Sequence, residues 1–353
     1  MSRIRIGIIG ASGITGAELI RLLLAHPDAE ITFLGGSSSI GATVPQLHPG
    51  LREARLPPVE KIDNTEIASR CDVVFLATPA HVSAHLASEL AGTVRVIDLS
   101  GAFRIQDPEV HTRWYPAVQR DETLARQFVY GVPELIADQI VSADLISVPG
   151  CFATAVTLAL APIATDPTLP LDRVLVDGKT GSSGGGISYD KAGAHPYRNG
   201  AITPYAPSGH RHAAEVKGFF ASRAETSTIP ISMSAYGVSN VRGLLASCYL
   251  FPSSPLDGGN LFARYTKFYK SSPFVRIRRL DETSIPVPDP HVLVGSNYCD
   301  ISVVRDTEGE RIVVLAALDN IVKGAAGQAI QMLNISLGLD PGLGLHHNPV
   351  VPV

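Results

Sequence analysis

The sequence predicts an α/β fold in two parts, a doubly wound parallel sheet followed by an α+β domain. Across the first 150 residues, short apolar runs alternate with segments whose apolar residues recur at helical spacing, which is typical of parallel strands joined by crossover helices. Beyond residue 170, apolar runs follow one another with turns between them, which indicates a sheet rich in antiparallel pairs. A chain of 353 residues is long enough for both parts.

The first half of the chain supplies the parallel sheet. The apolar runs predicted as strands are residues 4–10, 31–34, 72–77 and 94–99. The helices predicted between them are residues 14–25 and 82–90. Residues 100–147 are less regular.

The second half supplies the other domain. A helix is predicted to begin at residue 151, and the strands are predicted at 174–177, 231–235, 244–250 and, as a hairpin with a turn at 307–310, at 298–319. A last helix, residues 325–337, is expected to return to the first domain. The predicted domains are therefore 1–149 together with 322–353, and 150–321.

The composition excludes several classes of protein. With 45% hydrophobic and 18% charged residues, the chain is typical of a globular enzyme with a large core. A net charge of −4 without a long Lys/Arg run gives no sign of a nucleic-acid or membrane-surface partner. The four cysteines lack C-x-x-C spacing, so we expect no metal site and no disulfide framework, and a cytoplasmic location. We expect no signal peptide and no membrane span.

A glycine loop joins the first strand to the first helix and reads GIIGASGITG at residues 7–16. Glycines in this position allow a tight turn and close approach of a phosphate, which then faces the helix N-terminus. We therefore predict a Rossmann-type dinucleotide-binding domain, with a glycine-rich turn without a ligand as the alternative. The predicted contacts are Gly10, Ser12, Gly13, Ile14, Thr15 and Gly16.

The loop after the second strand bears on which dinucleotide is bound. Residues 35–39 read GGSSS and lack the acidic residue that usually holds the ribose diol of NAD. The hydroxyls of Ser37, Ser38 and Ser39 can accept a 2′-phosphate, which a carboxylate would repel. We therefore expect NADPH/NADP, and the alternative is that these serines form only a flexible loop.

Cys151 lies where an apolar run ends at Pro149-Gly150 and an Ala-rich run begins. This pattern places the cysteine in the first turn of a helix, where unpaired backbone N–H groups and the positive end of the helix dipole favour the nucleophilic thiolate. The alternative is a buried structural cysteine.

A second polar segment contains His210, Arg211, His212 and Glu215. If a helix begins near His210, then His212 and Glu215 share a face, and the carboxylate can orient an imidazole. One of the two histidines can then act as a proton donor near neutral pH. An ion-paired helix start is the structural alternative. The loop TGSSGGG at residues 180–186 can form an anion nest or a plain flexible loop.

These segments, in this order, resemble the N-acetyl-γ-glutamyl-phosphate reductase family, including its sibling that acts on a carrier-protein-linked aminoadipyl or glutamyl phosphate. The shared segments are GASGITG at 10–16, DLSGAFR at 98–104, YGVPE at 130–134, PGCFATA at 149–155, His-Arg-His with Glu215, and DNIVKGAAGQA at 319–329. The resemblance implies a catalytic domain of the glyceraldehyde-phosphate/aspartate-semialdehyde dehydrogenase type, with NADPH as cofactor.

The resemblance also implies roles for individual residues. Cys151 is expected to be the nucleophile, and either His210 or His212 the acid/base. Further cofactor contacts are expected from Thr78, Pro79, Ser183, Gly184, Asn320, Lys323 and Gly324. Substrate contacts are expected from Ser100, Arg104 and Glu215, although a structural ion pair is the alternative for Arg104.

The expected activity is the NADPH-dependent reduction of N-acetyl-γ-glutamyl phosphate to its semialdehyde in arginine biosynthesis, with phosphate release through a cysteine thioester. One region departs from the arginine branch, which commonly has a Gly-Arg pair after the serine–glycine loop. Here residues 186–188 read GIS and residues 194–200 read AHPYRNG, which is closer to the sibling of lysine biosynthesis. The first alternative is therefore the same chemistry on an acyl group carried by a small acidic protein.

Two other functions were considered. Aspartate-semialdehyde dehydrogenase is disfavoured by the His-Arg-His segment, and a non-catalytic dinucleotide-sensing protein is disfavoured by Cys151 and the histidine pair. The resemblance further suggests a homodimer or tetramer built on the sheet of the second domain.

Overall fold

The computed structural model describes residues 3–187, 195–223, 229–253, 260–279, 288–306, 308 and 310–350. The chain divides into two compact units, which are Met1–Pro149 with Ala325–His346, and Gly150–Gly324 with His347–Val353. The α/β class is confirmed, because the first unit contains a parallel sheet and the second a mixed sheet rich in antiparallel pairs.

The first unit is built on six parallel strands. They are β1 (Ile4–Ile9), β2 (Ala29–Gly35), β3 (Val73–Leu76), β4 (Arg95–Asp98), β5 (Val129–Tyr130) and β6 (Leu145–Ser147). Their order in the sheet is β2-β1-β3-β4-β6-β5. The chain therefore changes direction across the sheet at β1 and β3, and ligands of such sheets bind beyond the carboxyl ends of the strands at this point.

Seven α-helices lie between these strands in the described part of the chain. They are α1 (Ile14–Leu23), α2 (Val44–Leu47), α3 (Asn64–Arg70), α4 (Ala80–Leu90), α5 (Pro108–Trp114), α6 (Glu122–Ala125) and α7 (Pro133–Ile140). Residues 100–147, which the sequence pattern marks only as less regular, contain α5, α6, β5, α7 and β6. None is longer than 8 residues, too short for a hydrophobic period to show.

The second unit is built on a seven-stranded sheet. Its strands are β7 (Leu171–Thr180), β8 (Thr203–Ala206), β9 (Ile231–Gly237), β10 (Leu244–Pro252), β11 (Val275–Ile277), β12 (Cys299–Asp306) and β13 (Arg311–Leu318). The order is β11-β12-β13-β10-β7-β9-β8. The predicted hairpin is confirmed as the antiparallel pair β12·β13, although Thr307 and Gly309 of its predicted turn lie outside the described residues.

The helices of the second unit are α8 (Cys151–Ala164), α9 (His195–Arg198), α10 (Arg211–Ala221) and α11 (Leu261–Phe268). From Phe152 to Ile163 every residue of α8 is buried, as expected for a helix that is apolar all round. It lies between β10 and β13 on one side and α10 on the other. The sheet and α10 together therefore fix the position of the first residue of α8.

The last helix, α12 (Gly327–Ser336), belongs to the first unit. Asn334 Oδ1 lies 3.0 Å from His26 Nε2, and Gln331 Nε2 donates to Glu134 Oε1 at 3.1 Å. These buried contacts hold α12 against α1 and α7. Within the described ranges, the chain has no helix whose length and apolar character would let it cross a membrane.

Candidate active site

Cys151 is the first residue of α8. The N-cap residue Gly150 is extended (φ −68°, ψ 155°), and neither a capping side chain nor an acidic residue occupies the first turn. The first intrahelical hydrogen bond runs from the Thr154 N–H to the Gly150 carbonyl at 2.8 Å. Because the N–H groups before Thr154 precede that bond, they have no acceptor within α8, and the cysteine lies at the positive end of the helix dipole. Cys151 is partly exposed, whereas residues 152–163 of α8 are buried.

Two glycines allow the close packing around this cysteine. A Cβ atom on Gly324 would lie 2.7 Å from Cys151 Cβ, and one on Gly150 would lie 2.2 Å from His212 Nε2. Either side chain would collide with a group of the site. Gly324 belongs to a single π-helical turn, Val322–Ala326, and such turns occur frequently at functional sites.

His210 caps the N-terminus of α10. Its Nδ1 accepts a hydrogen bond from the His212 N–H at 3.1 Å, and its Nε2 lies 3.4 Å from Tyr205 Oη. Burial, together with the positive charge of Arg211, lowers the pKa of His210 to about 4. The ring is therefore neutral near pH 7, and because Nδ1 is an acceptor, the proton is assigned to Nε2.

His212 lies beside the helix that carries Cys151. Its Nε2 is 3.8 Å from Glu215 Oε1, and both side chains are buried. Glu215 Oε2 in turn accepts a hydrogen bond from the Gly150 N–H at 3.0 Å. Glu215 therefore links α10 to the N-cap of α8 and holds the His212 ring over Gly150, one residue from the thiol.

The serine–glycine loop is tied down by hydrogen bonds. Ser183 Oγ donates to the Val241 carbonyl at 2.6 Å and accepts from Asn320 Nδ2 at 2.9 Å. Asn320 Oδ1 accepts the Gly243 N–H at 2.8 Å. Gly184, next in the loop, is exposed. The loop therefore has a defined shape and presents Gly184 at the surface.

Lys323 is fully buried, and its ammonium group lies 5.9 Å from the centre of the Phe274 ring. This side chain exposes no surface to a ligand in the structure. Nothing in the sequence distinguishes Lys323 from a surface lysine, because its burial follows from the packing of the π-helical turn.

The glycine loop of the first unit fits the pyrophosphate of a dinucleotide. Gly10 has φ +96°, and a Cβ atom there would lie 2.4 Å from the Ala77 carbonyl oxygen. Gly13 is the N-cap of α1, where neither a side-chain cap nor an acidic residue occupies the first turn. The Ala17 N–H makes the first intrahelical bond to the Gly13 carbonyl. The three preceding N–H groups, of Ile14, Thr15 and Gly16, can therefore bind an anion.

The other predicted cofactor residues of this unit follow neighbouring strands. Residues 37–39 come after β2, which pairs with β1, and Gly10 N–H donates to the Gly35 carbonyl at 2.9 Å. Thr78 and Pro79 follow β3 on the other side of β1, and Pro79 is the N-cap of α4. The loops after β2, β1 and β3 therefore lie side by side at the carboxyl edge of the sheet.

The two predicted substrate residues of the first unit make structural contacts. Ser100 Oγ donates to Asp98 Oδ2 at 2.9 Å and accepts the Ala102 N–H at 3.1 Å. Arg104 donates to the Val148 and Leu99 carbonyls at 2.8 and 2.6 Å. These bonds shape the loop after β4 and support a structural role for Arg104.

The sequence analysis missed two residues at this site. Asp319, fully buried, accepts the N–H groups of Gly295 and Ile321 and pairs with Arg242 at 3.3 Å, so it orients the segment that carries Asn320. Asp319 is the first residue of the shared segment 319–329, but its sequence position alone gives it no role. Tyr205 is the other, and no local pattern marks it.

Comparison with known proteins agrees with this architecture. The family model described as "Semialdehyde dehydrogenase, NAD binding domain" matches residues 5–143, and "Semialdehyde dehydrogenase, dimerisation domain" matches residues 151–320. The fold is similar to that of aspartate semialdehyde dehydrogenase II from Vibrio cholerae (TM-score 0.69, 16% identity, 95% of this chain and 98% of that chain). It is similar also to a probable aspartate-semialdehyde dehydrogenase from Pseudomonas aeruginosa (TM-score 0.70, 20% identity, 96% and 100%). The fold and the site thus define the class of semialdehyde dehydrogenases, which are NAD(P)-dependent oxidoreductases.

Relatives in sequence indicate which family within this class the chain belongs to. The chain is 37% identical to "[LysW]-L-2-aminoadipate/[LysW]-L-glutamate phosphate reductase" of Saccharolobus solfataricus, over 99% of both chains. It is 37% identical to "N-acetyl-gamma-glutamyl-phosphate reductase" of Gloeothece citriformis, over 97% of both. The chain belongs to the family of these phosphate reductases.

Proposed function

We propose that the protein reduces an acyl phosphate to an aldehyde with NADPH and releases inorganic phosphate, by way of a thioester on Cys151. The observation that carries the proposal is the position of this cysteine, at the open N-terminus of α8 with His212 and Glu215 packed over the preceding glycine. The relatives named as phosphate reductases support the reaction type.

In the first step, Cys151 Sγ attacks the acyl carbon, the C–O bond to phosphate breaks, and the thioester forms. Splitting the reduction at this point replaces one difficult step by two easier ones. The N–H groups at the start of α8 stabilise the oxyanion that develops on the acyl oxygen. One such donor typically contributes about 3 kcal/mol to the stability of the transition state.

We assign the acid/base role to His212 and a positioning role to His210. The Nδ1 atom of His210 is occupied by the helix cap, and with a pKa of about 4 its ring holds no second proton near neutral pH. His212 has the buried Glu215 carboxylate beside its Nε2, which orients the ring. In the second step the thioester is reduced to a thiohemiacetal, and His212 protonates the thiohemiacetal oxygen. It takes that proton back as the C–S bond breaks and the aldehyde leaves.

The first unit would hold the cofactor, NADPH. When bound, NADPH supplies the hydride that reduces the thioester. Its pyrophosphate is held by residues 10–16, and its 2′-phosphate by Ser37, Ser38 and Ser39, since no carboxylate follows β2 in this loop. Thr78 and Pro79 complete this part of the site. Of the residues predicted for the nicotinamide side, Ser183, Gly184, Asn320 and Gly324 are kept, whereas Lys323 acts through packing.

Two acyl groups are candidates. The first is N-acetyl-γ-glutamyl, and the second is an aminoadipyl or glutamyl group carried by a small acidic protein. Exposed apolar side chains near the serine–glycine loop favour the second, because a protein-borne substrate needs a surface to bind; they are Ile187, Tyr197 and Ile202, exposed by 61%, 60% and 69%. Ser188 and Ala194, which belong to the departure from the arginine branch, lie outside the described residues.

A homo-oligomer is also part of the proposal. One face of the second sheet is covered by α8, whereas Leu175, Tyr249, Val313 and Val304 form a row across the opposite face. Leu175 is 41% exposed. A second copy of the chain would cover this row, as the match to a dimerisation domain suggests.

The proposed site of action is the cytoplasm. None of the four cysteines, all described, forms a disulfide, as expected in a reducing compartment.

The proposal is tested in the oxidative direction, with NADP, inorganic phosphate and either free N-acetylglutamate semialdehyde or its carrier-linked counterpart. Cys151→Ser should abolish NADPH formation while NADPH binding, measured by fluorescence, persists. His212→Asn should lower turnover by roughly 100-fold or more. Cys71→Ala, a change at a buried cysteine of the first unit, is the matched control and should remain active. Near wild-type turnover of Cys151→Ser would show that the nucleophile is wrongly assigned.

A further inference from the structure

Tyr205 occupies a β-bulge in β8, the edge strand of the second sheet. In the pairing of β8 with β9, Pro204 is opposite Tyr236 and Ala206 is opposite Ala235, so Tyr205 is an extra residue in the register. A bulge redirects the side chain of the extra residue, and bulges are common beside functional sites. Here the Tyr205 hydroxyl lies 3.4 Å from His210 Nε2, and the two rings meet edge to face at 5.8 Å.

The direction of the hydrogen bonds follows from the helix cap. Because His210 Nδ1 accepts the His212 N–H, the ring carries its proton on Nε2 and donates it to Tyr205 Oη. The Tyr205 O–H must then donate to a different acceptor. Burial, followed by the charge of Cys151, raises the pKa of Tyr205 above its usual value, so the hydroxyl remains a donor throughout the physiological range.

The surroundings of this hydroxyl suit an anion. Arg198, which is only 6% exposed, holds its guanidinium group 5.9 Å from the centre of the Tyr205 ring. That group packs on Gly237, where a Cβ atom would lie 2.9 Å from Arg198 Cζ. Arg198 and Arg211 both act electrostatically on the Tyr205 hydroxyl. The tyrosine is 39% exposed, so a ligand can reach it.

We propose that Tyr205, oriented by His210, is a substrate-binding residue whose hydroxyl donates a hydrogen bond to an anionic oxygen of the substrate. Two groups of the substrate offer this chemistry, the phosphoryl group and the carboxylate of the amino-acid moiety. The inference rests on the proposed function, since it requires an acyl phosphate of an amino acid beside Cys151. His210 acts through Tyr205 and is a positioning residue.

The oxidative assay separates the two anions, because inorganic phosphate and the semialdehyde are then different reactants. Tyr205→Phe keeps the ring and removes the donor. We expect KM for one of the two reactants to rise by roughly 10-fold, as for the loss of a hydrogen bond to a charged group, with a smaller change in kcat. A rise in the KM for phosphate assigns the phosphoryl group, and a rise in the KM for the semialdehyde assigns the carboxylate. The rate of Cys151 alkylation by iodoacetamide should not change.

Two further variants complete the experiment. Tyr236→Phe, on the neighbouring strand and facing Lys179, is the matched control and should leave both KM values unchanged. His210→Asn retains a good N-cap residue but removes the donor to Tyr205, so it should raise the same KM by a smaller factor. It should add nothing in the Tyr205→Phe background. If the wild-type protein is active and both KM values of Tyr205→Phe lie within twofold of the wild-type values, this inference is overturned and the proposed function is not. Absence of wild-type turnover overturns the proposed function, and this inference with it.

Discussion

His210 and His212 stand two positions apart, yet the chain uses them in different ways. The first lies at a helix cap, where burial and a neighbouring guanidinium keep it neutral. The second lies in the first turn of the same helix, against a buried carboxylate. At the scale of the residue, it is therefore the local partner and not the side-chain type on which our proposed division of roles between the two imidazoles rests.

The low pKa of His210 gives a test at this scale. The unfolded chain binds a proton at this histidine below its ordinary pKa of about 6.5, whereas the folded chain does so only below about 4. The unfolded state is therefore favoured as pH falls through this window, and stability is lost on acidification. His210→Asn keeps the cap and should recover about 2 kcal/mol of the stability lost between pH 7 and pH 4.5. Urea unfolding at both pH values measures this difference.

The exposed His85 provides the control for this measurement, since its side chain is 72% exposed and His85→Asn should leave the acid sensitivity of wild type. His111, also buried with a pKa lowered to about 4 by burial and by the charge of Arg120, contributes in the same direction and remains in both variants. An unchanged dependence on pH in His210→Asn would contradict the assignment of a neutral, buried imidazole.

At the scale of the element, the site depends on two segments that come close together because one of them carries a glycine, Gly324, at the point of contact. The start of α8 and the π-helical turn Val322–Ala326 come together at Cys151 and Gly324, where even a methyl group would not fit. The buried Asp319 accepts the N–H groups of Ile321, just before this turn, and of Gly295, in a distant segment, and so holds the entry of the turn in place. The position of the thiol is thus limited by the close approach of the Gly324 backbone to the Cα and Cβ atoms of Cys151.

Gly324→Ala tests this arrangement. The added methyl group should displace the start of α8 or the π-helical turn, and turnover should fall by roughly 10-fold or more, because a shift of about 1 Å in a reacting group is that costly. Alkylation of Cys151 by iodoacetamide should change in rate as well.

Gly218→Ala is the matched control, because this glycine lies inside α10 with open space around its Cα atom. It should stabilise the protein by about 0.5–1 kcal/mol without loss of activity. Wild-type kinetics in Gly324→Ala would contradict the close approach.

At the scale of the whole molecule, the second sheet has one covered and one open face. Along β7, Val174 and Val176 are buried while Leu175 between them is exposed, so the strand alternates between α8 and the open side. A partly exposed apolar row across several strands is a surface that a second copy of the chain can cover.

Leu175→Glu should therefore lower the molar mass measured by light scattering to that of one chain, 37.4 kDa, because a charge buried in an apolar interface is left without a partner. Leu24→Glu is the control, since Leu24 is exposed by 46% on the first unit and should leave the mass unchanged. A wild-type protein that is monomeric at micromolar concentration would contradict the proposed oligomer.

The sequence by itself determined the α/β class, the strand–glycine loop–helix at residues 4–23, the position of Cys151 at a helix start, and the family, because each depends on patterns within a few neighbouring residues. It did not determine the short elements between residues 100 and 147, where the segments are too brief to show a hydrophobic period. Only the tertiary structure decided that Lys323 is buried, that Tyr205 meets His210, and that Gly150 N–H bonds to Glu215 across 65 positions of the chain. Such contacts arise from the packing of segments that are distant in sequence, so a local sequence pattern does not predict them.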